Sequence, residues 1–209
     1  MTSIDSYAFF KCERIQSIVI PVGVTAIADH TFDYCDYLSY VTIPNTVQSF
    51  GKRCFGGCNF QEFFVPLGVT KIDDNAFDSC VYMQSISLPN TLTTIGNEAF
   101  RHCASLQTLT MPYSVTSIGF GVFNQCYCLN TVVLHSNITT VTGSGYGMDG
   151  KVYIFKDCPS LTTISFINFS SDTNEAAWTT FVNRFDSDDK AILNSLTVYK
   201  RQTTVPSLH

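Results

Sequence analysis

The feature that most constrains the fold of this chain is a sequence motif of about 23 residues that recurs along it. In a clear copy, an aliphatic residue at Ile72 precedes the pair Ala76 and Phe77, and Cys80 follows three positions later. The equivalent phenylalanines are spaced by 23, 23, 22, 23 and 23 positions; they are Phe9, Phe32, Phe55, Phe77, Phe100 and Phe123. A fixed period of this length is typical of a solenoid, in which each coil buries its apolar face against its neighbours. The sequence therefore predicts a repeat solenoid.

Each repeat also predicts a short strand after its cysteine. The copy that follows Cys80 places Met83, Ile86 and Leu88 before Pro89. Apolar residues separated by one position face the same side of a strand, because side chains alternate along it. Proline ends the strand because it cannot donate a hydrogen bond to the ladder.

The segment before each phenylalanine is predicted to form a brief helical turn. Residues that can cap a helix stand at its start; they are Asp29, Asp74 and Asn97. Glycines share the slot after the aliphatic residue and suggest a tight bend there; they are Gly51, Gly96 and Gly119.

The cysteines are predicted to be reduced core residues. Of the nine, seven occupy one slot of successive repeats; they are Cys12, Cys35, Cys58, Cys80, Cys103, Cys126 and Cys158. Stacked coils would hold their Cβ vectors parallel, which is poor geometry for a disulfide, and free cysteine behaves as a small hydrophobe. Cys54 occupies a small inward slot, and Cys128 is the one expected at the surface.

The repeat pattern LxxIxLPxxVxxIxxxAFxxCxxL closely resembles the BspA-like (Treponema-type) leucine-rich repeat, over about residues 3–166. The resemblance implies a leucine-rich-repeat solenoid of the α/β class, rich in strand, with about seven 23-residue repeats in a right-handed coil. Repeat three departs from the pattern by losing one residue after Cys58, and repeat seven has His135 for proline and an insertion at about 142–152. The resemblance also implies a cell-surface or secreted protein that acts in adhesion, and it supplies no catalytic signature.

The domain organisation follows from where the repeat stops. Residues 1–166 are interpreted as the repeats and 167–209 as a C-terminal α/β cap and tail, within one structural domain. The cap is predicted from a helical apolar face followed by a strand at 196–199; the face comprises Trp178, Phe181, Val182 and Phe185. No comparable cap is visible at the N-terminus, so the open first coil is a candidate for self-association. The first residues already lie inside a repeat, and no signal peptide is predicted in this chain.

Several function classes are not expected. The net charge is −5 and the twelve Lys and Arg residues are scattered, which argues against nucleic-acid binding. No apolar run approaches the roughly 18–20 residues of a membrane span. The four histidines and the close cysteine pairs lack the spacing of a catalytic dyad or a zinc site. We therefore expect no enzyme activity, no cofactor and no metal.

The outward strand positions are the candidate ligand-binding face. They comprise Tyr40, Thr42, Glu62, Phe64, Ser85, Ser87, Thr108, Thr110 and Thr131. Together with Phe63, the aromatic members add apolar surface of the kind that marks interaction sites, although hydroxyl pairs also support solvent-facing sheets. A glycine-rich loop with Tyr146 and Met148 is a second candidate, or a flexible insertion. The sequence thus favours a module that binds a protein or glycan of a host or neighbouring cell, and the alternative is a structural stalk without a ligand.

Overall fold

The computed structural model describes residues 3–135, 137–142, 153–167 and 197–201. Within these residues the chain winds as a solenoid whose strands pair in parallel and lie on two faces. The longer strands form one face: β1 (Ser17–Val19), β3 (Tyr40–Thr42), β5 (Glu62–Phe64), β7 (Ser85–Ser87), β9 (Thr108–Thr110), β11 (Thr131–His135), β13 (Thr163–Ile167) and β14 (Thr197–Arg201). The other face comprises β2 (Ala26–Ile27), β4 (Ser49–Phe50), β6 (Lys71–Ile72), β8 (Thr94–Ile95), β10 (Ser117–Gly119) and β12 (Thr140–Thr142).

The two faces differ in continuity. The short strands form one sheet in the order β2-β4-β6-β8-β10-β12, and Ile4 adds a bridge to Ile27 at its outer end. The longer strands, which we call the long-strand face, form three ladders: β1-β3, β5-β7 and β9-β11-β13-β14. The short-strand sheet therefore connects successive coils without a break, whereas the long-strand face is interrupted.

A stack of phenylalanine rings fills the core, as the period predicts. The rings of Phe9, Phe32, Phe55, Phe77, Phe100, Phe123 and Phe155 follow one another with centroids 5.2 to 6.1 Å apart and planes within 19° of parallel. These centroid distances fall in the range that aromatic pairs favour. Each ring is thus packed by the equivalent ring of the next coil, which is why the position must repeat.

The cysteine slot has a second role that the spacing did not reveal. All nine cysteines are free, and the structure buries Cys54 and exposes Cys128 as predicted; of the seven repeat cysteines predicted in the core, Cys12 and Cys158 are only half-buried. In successive coils the thiol donates a hydrogen bond of 2.9 to 3.3 Å to the phenylalanine carbonyl of the preceding coil; the donors are Cys35, Cys58, Cys80, Cys103, Cys126 and Cys158. Cysteine therefore supplies a small apolar body together with a weak donor.

The prediction of a helical turn before each phenylalanine is wrong, because no helix occurs in the described residues. In six of the turns two residues with positive φ stand four positions apart, as His30 and Tyr34 do at 55° and 59°. That left-handed geometry cannot continue a right-handed helix. Asp29 and Asp74 consequently cap no helix; each carboxylate accepts a hydrogen bond of 2.8 Å from a backbone N–H of the following coil.

The glycine after the short strand is required for close packing between coils. A Cβ atom placed on Gly96 would lie 2.5 Å from the backbone nitrogen of Asp74 in the preceding coil. The glycine slot thus reflects a close approach of backbones, where the sequence suggested a tight bend.

The predicted C-terminal cap falls largely outside the described residues. Its last strand is seen as β14, which pairs in parallel with β13 and aligns Thr197 with Thr163. The predicted helix around Trp178 and the glycine-rich loop with Tyr146 and Met148 lie outside the described residues.

Candidate functional site

Parallel pairing places the outward residues of the long-strand face side by side. Tyr40 aligns with Ser17, and Phe64 of β5 aligns with Ser87 of β7. Because alternate residues of a strand point to the same side, the exposed positions form rows across the coils. The rows contain Ser17, Val19, Tyr40, Thr42, Glu62, Phe64, Ser85, Ser87, Thr108 and Thr110, all of them exposed, while Thr131 is half-buried.

Tyr40 and Phe64 are large exposed aromatic residues of β3 and β5 on this face. Tyr40 retains 64% of its surface exposed and Phe64 retains 73%. Phe63 is predicted from the sequence to add to this exposed aromatic surface, but the prediction is wrong, because only 3% of its surface is exposed. It points inward because it is offset from Phe64 by one position, and its ring contacts Phe77 edge-on at 4.8 Å.

A groove lies between β3 and β5, where the long-strand face is interrupted. Its volume is about 800 Å³, and its lining includes Tyr40, Thr42, Glu62, Phe64 and the buried Phe60. The sequence-predicted residues of repeats two and three therefore meet at one concavity, whereas Ser85, Ser87, Thr108 and Thr110 lie beyond it on the neighbouring strands.

A buried ionic cluster at the turns was not predicted. Arg53 donates two hydrogen bonds to Asp33, at 3.1 and 3.2 Å, and a third to Asp78. Both aspartates are buried, and His30 contacts Asp33 at 2.8 Å through Nδ1. One sequence signal could have predicted this cluster. Asp33, Gly56 and Asp78 occupy the same position of three successive repeats, so the glycine lies between the two aspartates in the stack and leaves room for the guanidinium group.

The aspartate partners of Arg53 stabilise its protonated, positively charged form. Burial by itself would lower the pKa of Arg53, but the hydrogen bonds and charge of Asp33 and the charge of Asp78 raise it above its ordinary value. The arginine therefore remains protonated and bridges three coils. This arrangement keeps two buried carboxylates paired, and removing the arginine from it would therefore be costly.

The buried thiols of the repeats are poorly suited to act as nucleophiles. Burial raises the pKa of Cys80 to about 12 and that of Cys103 well above its ordinary value. A protonated, buried thiol is a weak nucleophile and a weak metal ligand. Burial also lowers the pKa of His135. Among the described residues no group of three or more metal-ligating side chains converges, and no helix there has the length and apolar character of a membrane crossing.

The parallel coils, the phenylalanine stack and the exposed strand face define a leucine-rich-repeat solenoid. The sequence model of the BspA type leucine rich repeat region matches six copies, over residues 2–130 and 48–180. The chain therefore belongs to the BspA-type leucine-rich repeat family.

Comparison with a solved structure agrees with this fold. The leucine-rich repeat protein of T. pallidum is 21% identical with a TM-score of 0.52, and the match covers 97% of this chain and 78% of that one. A leucine-rich cell surface protein of Faecalibacterium prausnitzii is 20% identical with a TM-score of 0.41, covering 86% of this chain and 66% of that one. A leucine-rich repeat protein of Bacteroides ovatus is 21% identical with a TM-score of 0.40, covering 79% and 60% respectively. This chain thus spans less than two thirds of the last two proteins. No curated protein matches it.

Proposed function

We propose that this protein is a non-enzymatic interaction module of a surface or secreted protein, and that its long-strand face binds a protein or glycan. The observation that carries the proposal is the pair of exposed aromatic residues, Tyr40 and Phe64, on a face otherwise lined mainly by hydroxyl groups. Large exposed aromatic side chains are enriched in interaction sites because they bury much area at a small entropic cost.

The scaffold supports this role through its rigidity. The stacked rings and the continuous short-strand sheet fix the spacing of the outward side chains. Groups that are already ordered lose little conformational entropy when a ligand binds, and repeat solenoids present extended surfaces to macromolecules. Many modest contacts along the face can therefore add to useful affinity.

The test is a binding screen of the folded protein against a panel of extracellular-matrix proteins and a glycan array. The double variant Tyr40→Ser/Phe64→Ser should lose at least tenfold in affinity for any ligand found. The matched control is Val22→Ser/Leu67→Ser, which replaces two equally exposed apolar residues that follow strand-ending prolines. Thermal unfolding should show all variants folded. A ligand bound equally by both double variants would contradict the proposed face.

A structural spacer role is the second proposal. Within the described residues β1 has a partner strand on one side only, since its sole ladder is with β3. Phe9, Ile15 and Ile18 are only partly buried at this end. The open edge can receive a further coil or a second copy of the chain. Sedimentation velocity over a range of concentrations tests self-association, and a Ser17→Pro/Val19→Pro variant, lacking two edge N–H groups, should shift the equilibrium towards monomer. Unchanged association in that variant would exclude this edge.

A further inference from the structure

The residue missing from repeat three accounts for the interruption of the long-strand face between β3 and β5. Pro66 follows Cys58 by eight positions, whereas Pro44 follows Cys35 by nine. The shortened segment draws the Asn59 N–H onto the Leu38 carbonyl at 2.9 Å, and in the described residues no ladder then joins β3 to β5. The ladder also stops between β7 and β9, but there the Gln107 N–H still reaches the Gln84 carbonyl at 3.3 Å. The β3–β5 groove therefore arises where the repeat is one residue short.

The same deletion opens a second groove, which lies in the turns that precede β3, β5 and β7. In neighbouring repeats the position two residues after cysteine carries a tyrosine, Tyr37 in repeat two and Tyr82 in repeat four, and repeat three has no residue for that slot. A groove of about 500 Å³ lies there, lined by both tyrosines together with Asp36 and Ser79. Asn59 lines this groove and the β3–β5 groove alike, so the two are neighbours. We call them together the repeat-three cleft.

The walls of the repeat-three cleft are aromatic and acidic. Tyr37, Tyr40, Phe64 and Tyr82 are all exposed large side chains. Among the residues that line the two grooves, the charged side chains are those of Glu62 and Asp36, and both are negative. Aromatic ring faces attract cations, and two carboxylates on a protein of net charge −5 attract them further.

The backbone adds a preference for an extended ligand. β3 is paired with β1, and β5 is paired with β7, so each strand has one edge towards the groove that no ladder occupies. Strand edges of this kind bind extended peptides through main-chain hydrogen bonds, while pockets for alternate side chains give specificity. A neutral sugar would use the aromatic rings but would gain little from the net negative charge.

We propose that the repeat-three cleft binds an extended peptide segment of a partner protein that carries lysine or arginine side chains. The inference rests on the proposed function and names the ligand class of the same face. The peptide backbone lies along the β3–β5 groove, and basic side chains reach Glu62 and, through the adjoining groove, Asp36 between the two tyrosines.

The test uses fluorescently labelled octapeptides of alternating sequence, Lys-Thr, Gln-Thr and Glu-Thr, with anisotropy as the measurement. The Lys-Thr peptide should bind at least tenfold more tightly than the Gln-Thr peptide. Glu62→Gln/Asp36→Asn should remove that preference, whereas the control Glu13→Gln/Asp157→Asn, which alters net charge equally at exposed sites outside the cleft, should keep it. Tyr40→Ser/Phe64→Ser should also weaken binding, which separates the cleft from diffuse charge attraction.

A second variant tests the origin of the cleft. Insertion of one tyrosine between Asn59 and Phe60 restores the length seen in repeat two and should abolish peptide binding while circular dichroism shows the fold retained. Peptide binding that is equal for the lysine and glutamine sequences, or unchanged by Glu62→Gln/Asp36→Asn, overturns the inference. A glycan or acidic-protein ligand that depends on Tyr40 and Phe64, without binding of the basic peptide, overturns it as well while leaving the proposed function intact. Should the screen find no ligand that needs those two residues, the proposed function itself fails.

Discussion

The buried thiols should make the stability of this solenoid fall in alkaline solution. Burial raises the pKa of Cys35 to about 11 and that of Cys80 to about 12. It also raises the pKa of the thiols at Cys54, Cys58, Cys103 and Cys126 well above the ordinary value. Above about pH 8.5 the unfolded chain loses these protons while the folded protein keeps them. The stability is therefore retained below that pH and is lost progressively as the pH rises towards the folded-state pKa.

The magnitude follows from proton linkage. Each thiol that is protonated only in the folded state lowers the free energy of unfolding by about 1.4 kcal/mol per pH unit. Between pH 7.5 and pH 10 this amounts to about 2 kcal/mol per buried thiol, given an unfolded pKa near 8.5. Several such thiols together approach the whole stability of a typical domain, about 5–15 kcal/mol. A measurable fall in the free energy of unfolding between pH 7.5 and pH 10 is the expected outcome.

The assay is urea unfolding followed by circular dichroism at pH 7.5 and pH 10, on the wild type and on Cys80→Ala. At pH 7.5 the variant should be less stable, because the Phe55 carbonyl loses the thiol that donates to it at 3.1 Å. Its further loss on going to pH 10 should be smaller than that of the wild type by about 2 kcal/mol, because one titrating thiol is gone. Cys80→Ser should be the milder substitution at pH 7.5, since its hydroxyl can donate to the same carbonyl.

The refuting result is a wild type and a Cys80→Ala variant whose stabilities decline in parallel between the two pH values. Labelling at pH 8 gives an independent check, because the exposed Cys128 should react rapidly with a thiol reagent while the buried cysteines react only on unfolding. If Cys80 reacted in the folded protein as fast as Cys128, the thiol row would be accessible and the linkage reasoning would fail.

Two further predictions concern the core and the ionic cluster. Phe77→Ala should lower the free energy of unfolding by about 3–5 kcal/mol, because the ring is fully buried and packed on both sides. Phe9→Ala, at the partly open end with one stacked neighbour, should lower it clearly less in the same urea titration. Equal losses for the two variants would contradict the nearest-neighbour packing. Arg53→Met should lower the free energy of unfolding by up to about 3–5 kcal/mol, because it removes three hydrogen bonds from two buried carboxylates and leaves Asp33 with His30 and Asp78 with Arg101 as their charged partners. Changing both aspartates to asparagine in that variant should restore stability; a failure of this rescue would show that Arg53 acts through its packing.

Much of the candidate face could be read from the sequence because strand side chains alternate. The period placed Tyr40 and Phe64 on outward positions, and both are exposed. Phe63 shows the limit of composition as a guide, because its aromatic character favours an exposed interaction surface while its position in the alternation directs it inward. The missing residue after Cys58 was visible in the sequence; its effect was not, because an opened ladder depends on how two adjacent coils stack.

The sequence by itself determined the parts of this protein that depend on repetition. A fixed period with phenylalanine, cysteine and paired aliphatic residues leaves one way to bury every copy, which is to stack each upon the next. The tertiary structure decided the rest: left-handed residues such as His30 replace the expected helical turns, Arg53 joins Asp33 to Asp78, and a groove opens between β3 and β5. These features arise from contacts between residues about 20 or more positions apart. Their geometry is set by how closely neighbouring coils approach, because local backbone propensity does not extend over that distance.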